Sequence, residues 1–197
     1  MSDAQLPAVK GTPSMPKLTD QEWEAILRKL PPRSLNSTLF NFANAYAQTG
    51  DLAMAAIGTS GNADFAAPAI MCKSFCVELL LKFFIAVAHP GADMKELKAL
   101  GVDLYGHVYS ELFDRIHEAT RRSVAASFST VSARQVDDGE FRRILKEDLG
   151  DAPFVSWRYV YEKAATRHLD PVLWDQVVLA LGKAAERERK RVTSSAG

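Results

Sequence analysis

Apolar and small side chains recur three and four residues apart along most of this chain, and no segment alternates with period two between turn signals. The pattern predicts helices. Thr19-Asp20-Gln21-Glu22 matches a capping box, and Trp23, Ile26, Leu27 and Leu30 give the short helix behind it an apolar face that Pro31-Pro32 ends. From Leu35 to Ile57 the spacing of Leu39, Phe42, Ala43, Tyr46 and Ala53 predicts one long helix, or two halves hinged near Gly50. Gly58 to Asn62 read as a loop. A helix then starts near Asp64 or Pro68 and runs to Ala88, and it is apolar almost all round, which marks the central helix of a bundle.

Beyond His89-Pro90-Gly91 a minor helix spans Met94 to Leu100, and Gly106-His107 precede a helix with Val108, Leu112, Phe113 and Ile116 on one face. Ser123 to Asp138 carries a weaker pattern that extends that helix, and Phe141, Ile144 and Leu145 mark a short one ending at Gly150. Trp157, Val160, Tyr161 and Ala164 form another apolar face. Asp170-Pro171 supplies an N-cap and a first-turn proline for the last helix. The expected fold is all-α, an up-and-down antiparallel bundle with extra short helices. Residues 1–18 read as a flexible tail, 19–188 as a single helical domain, and 189–197 as a second tail.

Composition narrows the function classes. Lys+Arg and Asp+Glu stand at 24 each, so overall charge steers the chain toward neither nucleic acid nor an anionic membrane. The greasiest stretch, Phe75 to Ala88, is broken by Glu78 and Lys82 and is too short for a bilayer. The N-terminus has neither a signal-peptide core nor a transit-peptide pattern, so a cytoplasmic location is expected. Cys72 and Cys76, four apart, share a helix face and read as reduced core residues, with no nearby Cys or His to complete a metal site. No cofactor is expected. Phosphate-loop, GxSxG and HExxH motifs are absent from the sequence.

The chemistry that stands out is charge inside grease. Glu78 and Lys82 lie at i and i+4, in the favourable orientation for a helical pair. They are either a solvated stripe or partly buried charges, and a buried charge needs a partner because leaving it unpaired costs several kcal/mol. Arg158 and Glu162, again four apart, can supply one, which predicts a Glu78–Arg158 contact with Lys82 or His107 nearby. Gly106-His107 at a helix start either cap and pack locally or gather backbone N–H groups and an imidazole around an anion. Trp157, Tyr159 and Tyr161 read as core aromatics ahead of a base-stacking platform.

Taken in order, Cys72, Cys76, Glu78, Leu79, Leu81 and Lys82 (C-x3-C-x-E-L-x-L-K), then Gly106-His107, Leu112-Phe113, Trp157-Arg158-Tyr159 and Tyr161-Glu162 resemble the HEPN superfamily of nucleotide-binding domains over residues 35–182. The resemblance implies a helical bundle, a homodimer, and either a non-catalytic domain binding a nucleotide, RNA or protein partner, or a metal-independent RNase of toxin–antitoxin or defence type. RNase members carry an Arg, then four to six residues, then a His. No histidine here has one: Lys163 and Lys82 stand at that distance from His168 and His89, and Arg158 is ten residues before His168. Lysine does not reproduce the bidentate phosphate contact of arginine. The binding reading, with Glu78, Lys82, His107, Arg158 and Glu162 as its residues, therefore leads. An RNase with a rearranged site built on His107 and Arg158 is the alternative, His107 moving a proton and Arg158 holding the phosphate.

Overall fold

The computed structural model describes residues 19–29, 34–158 and 170–195, apart from the side chains of residues 23, 26–29, 156–158, 193 and 195. The chain divides into two units, residues 1–32 and 33–197. In the first, α1 (Asp20–Lys29) begins with the predicted capping box. The Thr19 N–H donates to Glu22 Oε2 at 2.7 Å and the Glu22 N–H donates to Thr19 Oγ1 at 3.3 Å.

The second unit is an all-α bundle, and every element among its described residues is helical. Helix α2 (Leu35–Ser60) is capped by Ser34, whose side chain accepts the Ser37 N–H. It is a single helix through Gly50. A short link containing one 3₁₀ turn, Ala63–Phe65, leads to α3 (Ala66–Val87), and the two long helices pack against each other as an antiparallel hairpin. Gly50 permits the close approach. A Cβ there would lie 2.9 Å from Lys73 Cγ and 3.2 Å from the Ala69 carbonyl oxygen.

Helix α3 is the axis of the bundle, as its all-round apolarity predicts. Cys76, Val77, Leu80, Leu81, Phe83 and Phe84 are buried on it, and it contacts α2, α5, α8 and α9. After α4 (Met94–Ala99) come α5 (Tyr109–Asp114), α6 (Glu118–Ser132) and α7 (Asp138–Arg143). Rings of Phe113, Phe141 and Phe128 join these three helices, at 5.5 and 5.3 Å between centroids.

Several boundaries differ from the sequence pattern: α2 runs through Gly58 to Ser60, where a loop was expected, and the last helix runs to Ser195, through most of the expected tail from 189. The helix holding Leu112 and Phe113 stops at Asp114, and a separate α6 begins at Glu118 with His117 as its N-cap. Periodicity did not show this break, because Ile116 is buried and keeps the apolar face running through the turn. Likewise α5 starts at Tyr109, two residues beyond the predicted Gly106-His107 start.

From α7 the chain widens into a π-helical turn, Ile144–Asp148, then reaches Gly150 and Asp151. Helix α8 (Pro153–Arg158) follows, and α9 (Pro171–Ser195) closes the bundle against α3 and α6. Asp170 caps α9 as predicted, its Oδ1 accepting the N–H groups of Val172 and Leu173, both at 3.0 Å. Among the described residues no helix is long and apolar enough to cross a membrane.

Candidate functional site

Glu78 sits at the middle of α3, surrounded by apolar neighbours, and is 1% exposed. Both of its carboxylate oxygens are used. Lys82, one turn on, donates from Nζ to Oε1 at 2.7 Å, and His107 places Nδ1 3.0 Å from Oε2. Exposure rises outward from the acid: 15% for the Lys82 side chain and 52% for that of His107. The buried charge is therefore paired from two directions, and the imidazole is the part of the cluster that reaches solvent.

The tautomer follows from donor chemistry. A carboxylate only accepts, so the contact with Glu78 requires the His107 proton on Nδ1. Nε2 of the neutral ring then carries a lone pair. A buried acid fixing one nitrogen orients the other.

Two further groups hold this arrangement. Tyr109, two residues after His107, is fully buried and donates its hydroxyl to the Ser74 carbonyl at 2.5 Å, which fixes the segment to α3. Burial, reinforced by the neighbouring Glu78, raises the Tyr109 phenol well above its ordinary pKa. At the start of α5 the Tyr109 N–H donates to the Asp151 carbonyl at 2.7 Å. Ser110 gives its N–H and hydroxyl to the Asp151 carboxylate at 2.8 and 3.0 Å. Asp151 takes a left-handed backbone, φ 45°, to reach them. The first N–H groups of this helix, which one of the two readings gave to an anion, are thus held by the chain itself, that of Tyr109 by the Asp151 carbonyl and that of Ser110 by the Asp151 carboxylate.

A run of aromatic rings begins beside the imidazole. His107 lies 6.4 Å from Phe154 of α8, Phe154 stacks on Phe75 at 5.0 Å, and Phe75 meets the edge of Tyr46 at 4.6 Å. Of the predicted site residues, Glu78, Lys82 and His107 come together. The Arg158 side chain, and the whole of Glu162, Tyr159 and Tyr161, lie outside the described residues, as does the predicted Glu78–Arg158 contact. Phe154 was not singled out from the sequence. Its signal was slight, one aromatic behind Pro153 in the segment whose Trp and Tyr residues drew the attention.

A second charged cluster was missed altogether. Lys73, five residues before Glu78 on the same helix, is 3% exposed, and its ammonium donates to Asp51 of α2 at 2.7 Å and to Asp175 of α9. Burial works against this charge, but the bonds to Asp175 and Asp51 outweigh it and raise the lysine pKa. Cys72 and Cys76 are free thiols, and burial pushes Cys76 up to about 12, out of reach of thiolate chemistry near neutral pH. Among the described residues no group of three or more His, Cys, Asp or Glu could hold a metal ion.

Comparison with protein-family models, with curated proteins and with solved structures finds no match to this chain.

Proposed function

We propose that this chain is a non-catalytic, HEPN-like helical domain whose His107 site binds a nucleotide unit, free or within single-stranded RNA. The observation that carries the reading is the imidazole of His107, anchored by a buried glutamate and bordered by Phe154, on which Phe75 stacks. A nucleotide offers what such a site accepts: a flat base to lie against aromatic rings, and polar edges or a phosphate for imidazole and ammonium. Support for a HEPN-like domain comes from the helical bundle and from the order of short motifs, which bring Glu78, Lys82 and His107 to one place. Support for binding without cleavage comes from the sequence, in which no arginine is separated from a following histidine by four to six residues.

One observation favours a second reading. A carboxylate that holds Nδ1 leaves Nε2 free to move a proton, the arrangement a general base needs, so a metal-independent RNase is the alternative. One experiment separates the two. Full-length protein is mixed with a fluorescent single-stranded oligoribonucleotide in EDTA, and both anisotropy and chain length are followed. Saturable binding that weakens about tenfold or more in His107→Ala, with the RNA intact, supports the binding domain. EDTA-resistant cleavage lost in His107→Ala replaces it with the RNase, and no binding with no cleavage removes both.

A further inference from the structure

Toward the C-terminal end of α3, the helix end and the two turns that follow α4 and α5 line a cavity of about 730 Å³. Phe84, Ile85 and Val102 supply its apolar wall, and His89, Arg115 and His117 bring nitrogen donors to it. Its volume falls within the range of pockets that hold small organic ligands. None of these residues belongs to the Glu78–His107 cluster.

Local structure accounts for each part. Helix α3 ends at Val87, and the His89 N–H turns back to the Ala86 carbonyl at 3.0 Å, leaving the His89 ring beside the helix end. Gly101, at φ 74°, reverses the chain after α4 so that the Val102 N–H reaches the Leu97 carbonyl at 2.9 Å. Val102 is thereby set into the wall. His117 caps α6 by accepting the Ala119 N–H on Nδ1 at 3.3 Å, so its ring proton is on Nε2. Arg115 spends Nη1 on the carbonyls of Asp103 and Tyr105, at 3.2 and 2.9 Å.

Among the described residues two acids stand near this rim, and only one of their carboxylate oxygens is held by a hydrogen bond. Asp103 Oδ1 accepts the Tyr105 N–H at 2.8 Å, and its Oδ2 stands 3.8 Å from Arg115 Nη1. Glu111 approaches Arg115 Nη2 at 3.8 Å, too long for a hydrogen bond. An oxyanion that bonds directly has the advantage over both.

We propose that this cavity binds a small organic anion, with a carboxylate or phosphate monoester among His89, Arg115 and His117 and a planar apolar body against Phe84, Ile85 and Val102. The apolar wall supplies burial, and the donors supply orientation and selection for negative charge.

Titration calorimetry of the full chain with phenyl phosphate, benzoate, phenol and inorganic phosphate tests this. At least one of the two aromatic anions binds with a Kd of about 1 mM or tighter. Phenol, without the oxyanion, and inorganic phosphate, without the ring, each bind about tenfold more weakly or not at all. Whichever aromatic anion binds more tightly assigns the carboxylate or the phosphate class. His89→Gln/His117→Asn, in which Asn keeps an N-cap for α6, weakens the better anion about tenfold or more. Ala88→Trp, placed at the cavity wall, blocks it. If that variant loses helical signal, the double histidine variant alone carries the test. His107→Ala leaves this binding unchanged, which separates the cavity from the site proposed above. The proposal is overturned if neither anion binds at that concentration, if phenol binds as tightly as they do, or if the double histidine variant retains full affinity.

Discussion

Helix α3 carries two lysines, and the clusters built around them are opposites. Around Lys73 the cation is buried and its partners Asp51 and Asp175, on two other helices, are largely exposed, at 68% and 62%. Around Glu78 the anion is buried and its partners face outward, ending in a half-exposed imidazole. The first arrangement turns solvent-facing acids inward to tie α2, α3 and α9 together. The second uses a buried acid to present a ring to solvent. Burial at the centre of a charged cluster therefore does not say whether it serves the fold or a ligand. The group left at the surface says more.

The comparison predicts a large cost for losing the acid. Glu78→Ala removes the acceptor of both Lys82 and His107 and empties a fully buried position. Breaking a buried pair on one side costs about 3–5 kcal/mol, and urea denaturation should show a loss of that size. A midpoint unchanged from wild type would mean that the cluster is solvated. His107→Ala, which leaves Lys82 on the carboxylate, should cost about 1 kcal/mol. That contrast separates loss of the ring from loss of its anchor.

For the Lys73 cluster the comparable effect requires two changes. Asp51→Asn/Asp175→Asn leaves a buried ammonium without an ionic partner, at a cost of about 3 kcal/mol, the low end for a broken buried pair because Asn keeps an acceptor. The two single changes should sum to much less, since either aspartate serves alone. Strict additivity in the double-mutant cycle would show that Lys73 is not shared between them.

Much of this contrast was legible in the sequence on one side only. Glu78 and Lys82 stand four residues apart on one helix, so their pairing is a local fact, and their apolar neighbours made burial the natural inference. His107 came from a short motif. Lys73 had no such signal, because its partners are 22 and 102 residues away and each looks like an ordinary surface acid. The small residue Gly50, beside Asp51, was either part of one long helix or a hinge; it lies within the one helix, where the lysine stem passes between α2 and α3. The helical class followed from period alone. The break at His117 did not, since a histidine cap interrupts the backbone without interrupting the apolar face.

Alkali should unfold the protein, and mainly through groups near α3. Cys76 is raised by burial from its ordinary 9.0 to about 12, and Tyr109, raised by burial and by Glu78, stays protonated well above 10.0. Both keep protons in the fold that the unfolded chain releases, so their contribution is complete below about pH 9 and falls as pH rises toward 12. Lys73, raised above 10.5 despite burial because of Asp175 and Asp51, has the same sign, with its contribution lost above 10.5. Each uncompensated proton is worth about 1.4 kcal/mol per pH unit. The melting temperature should therefore decline above pH 9, and Cys76→Ala should move the onset of that decline upward. A flat profile to pH 11 would contradict the burial of both groups.

Gly50→Val tests the crossing itself. Its Cβ would meet the Lys73 stem at 2.9 Å and the Ala69 carbonyl at 3.2 Å, and backbone does not yield as a side-chain tip does. Overpacking of this kind costs about 1–3 kcal/mol, partly offset by the better helix propensity of valine over glycine. A more stable variant would show that the helices have room to part.

The smallest effect belongs to Asp51→Asn alone. Asp51 is exposed and paired to Lys73 by one oxygen, while Asp175 holds the same ammonium from the other side. Exposed partners in water contribute about 0–1 kcal/mol, and asparagine keeps an acceptor in place. Lys73→Met should likewise stay within about 1.5 kcal/mol, since methionine fills the channel past Gly50 and removes the cost of holding a buried charge. Glu78→Met has no such escape, because it strands Lys82 and frees His107 from its anchor. If Lys73→Met proved as damaging as Glu78→Ala, the lysine would be contributing more than a tie between helices, and the groove between α2 and α9 that it lines with Asp51 and Asp175 would become a functional site in its own right.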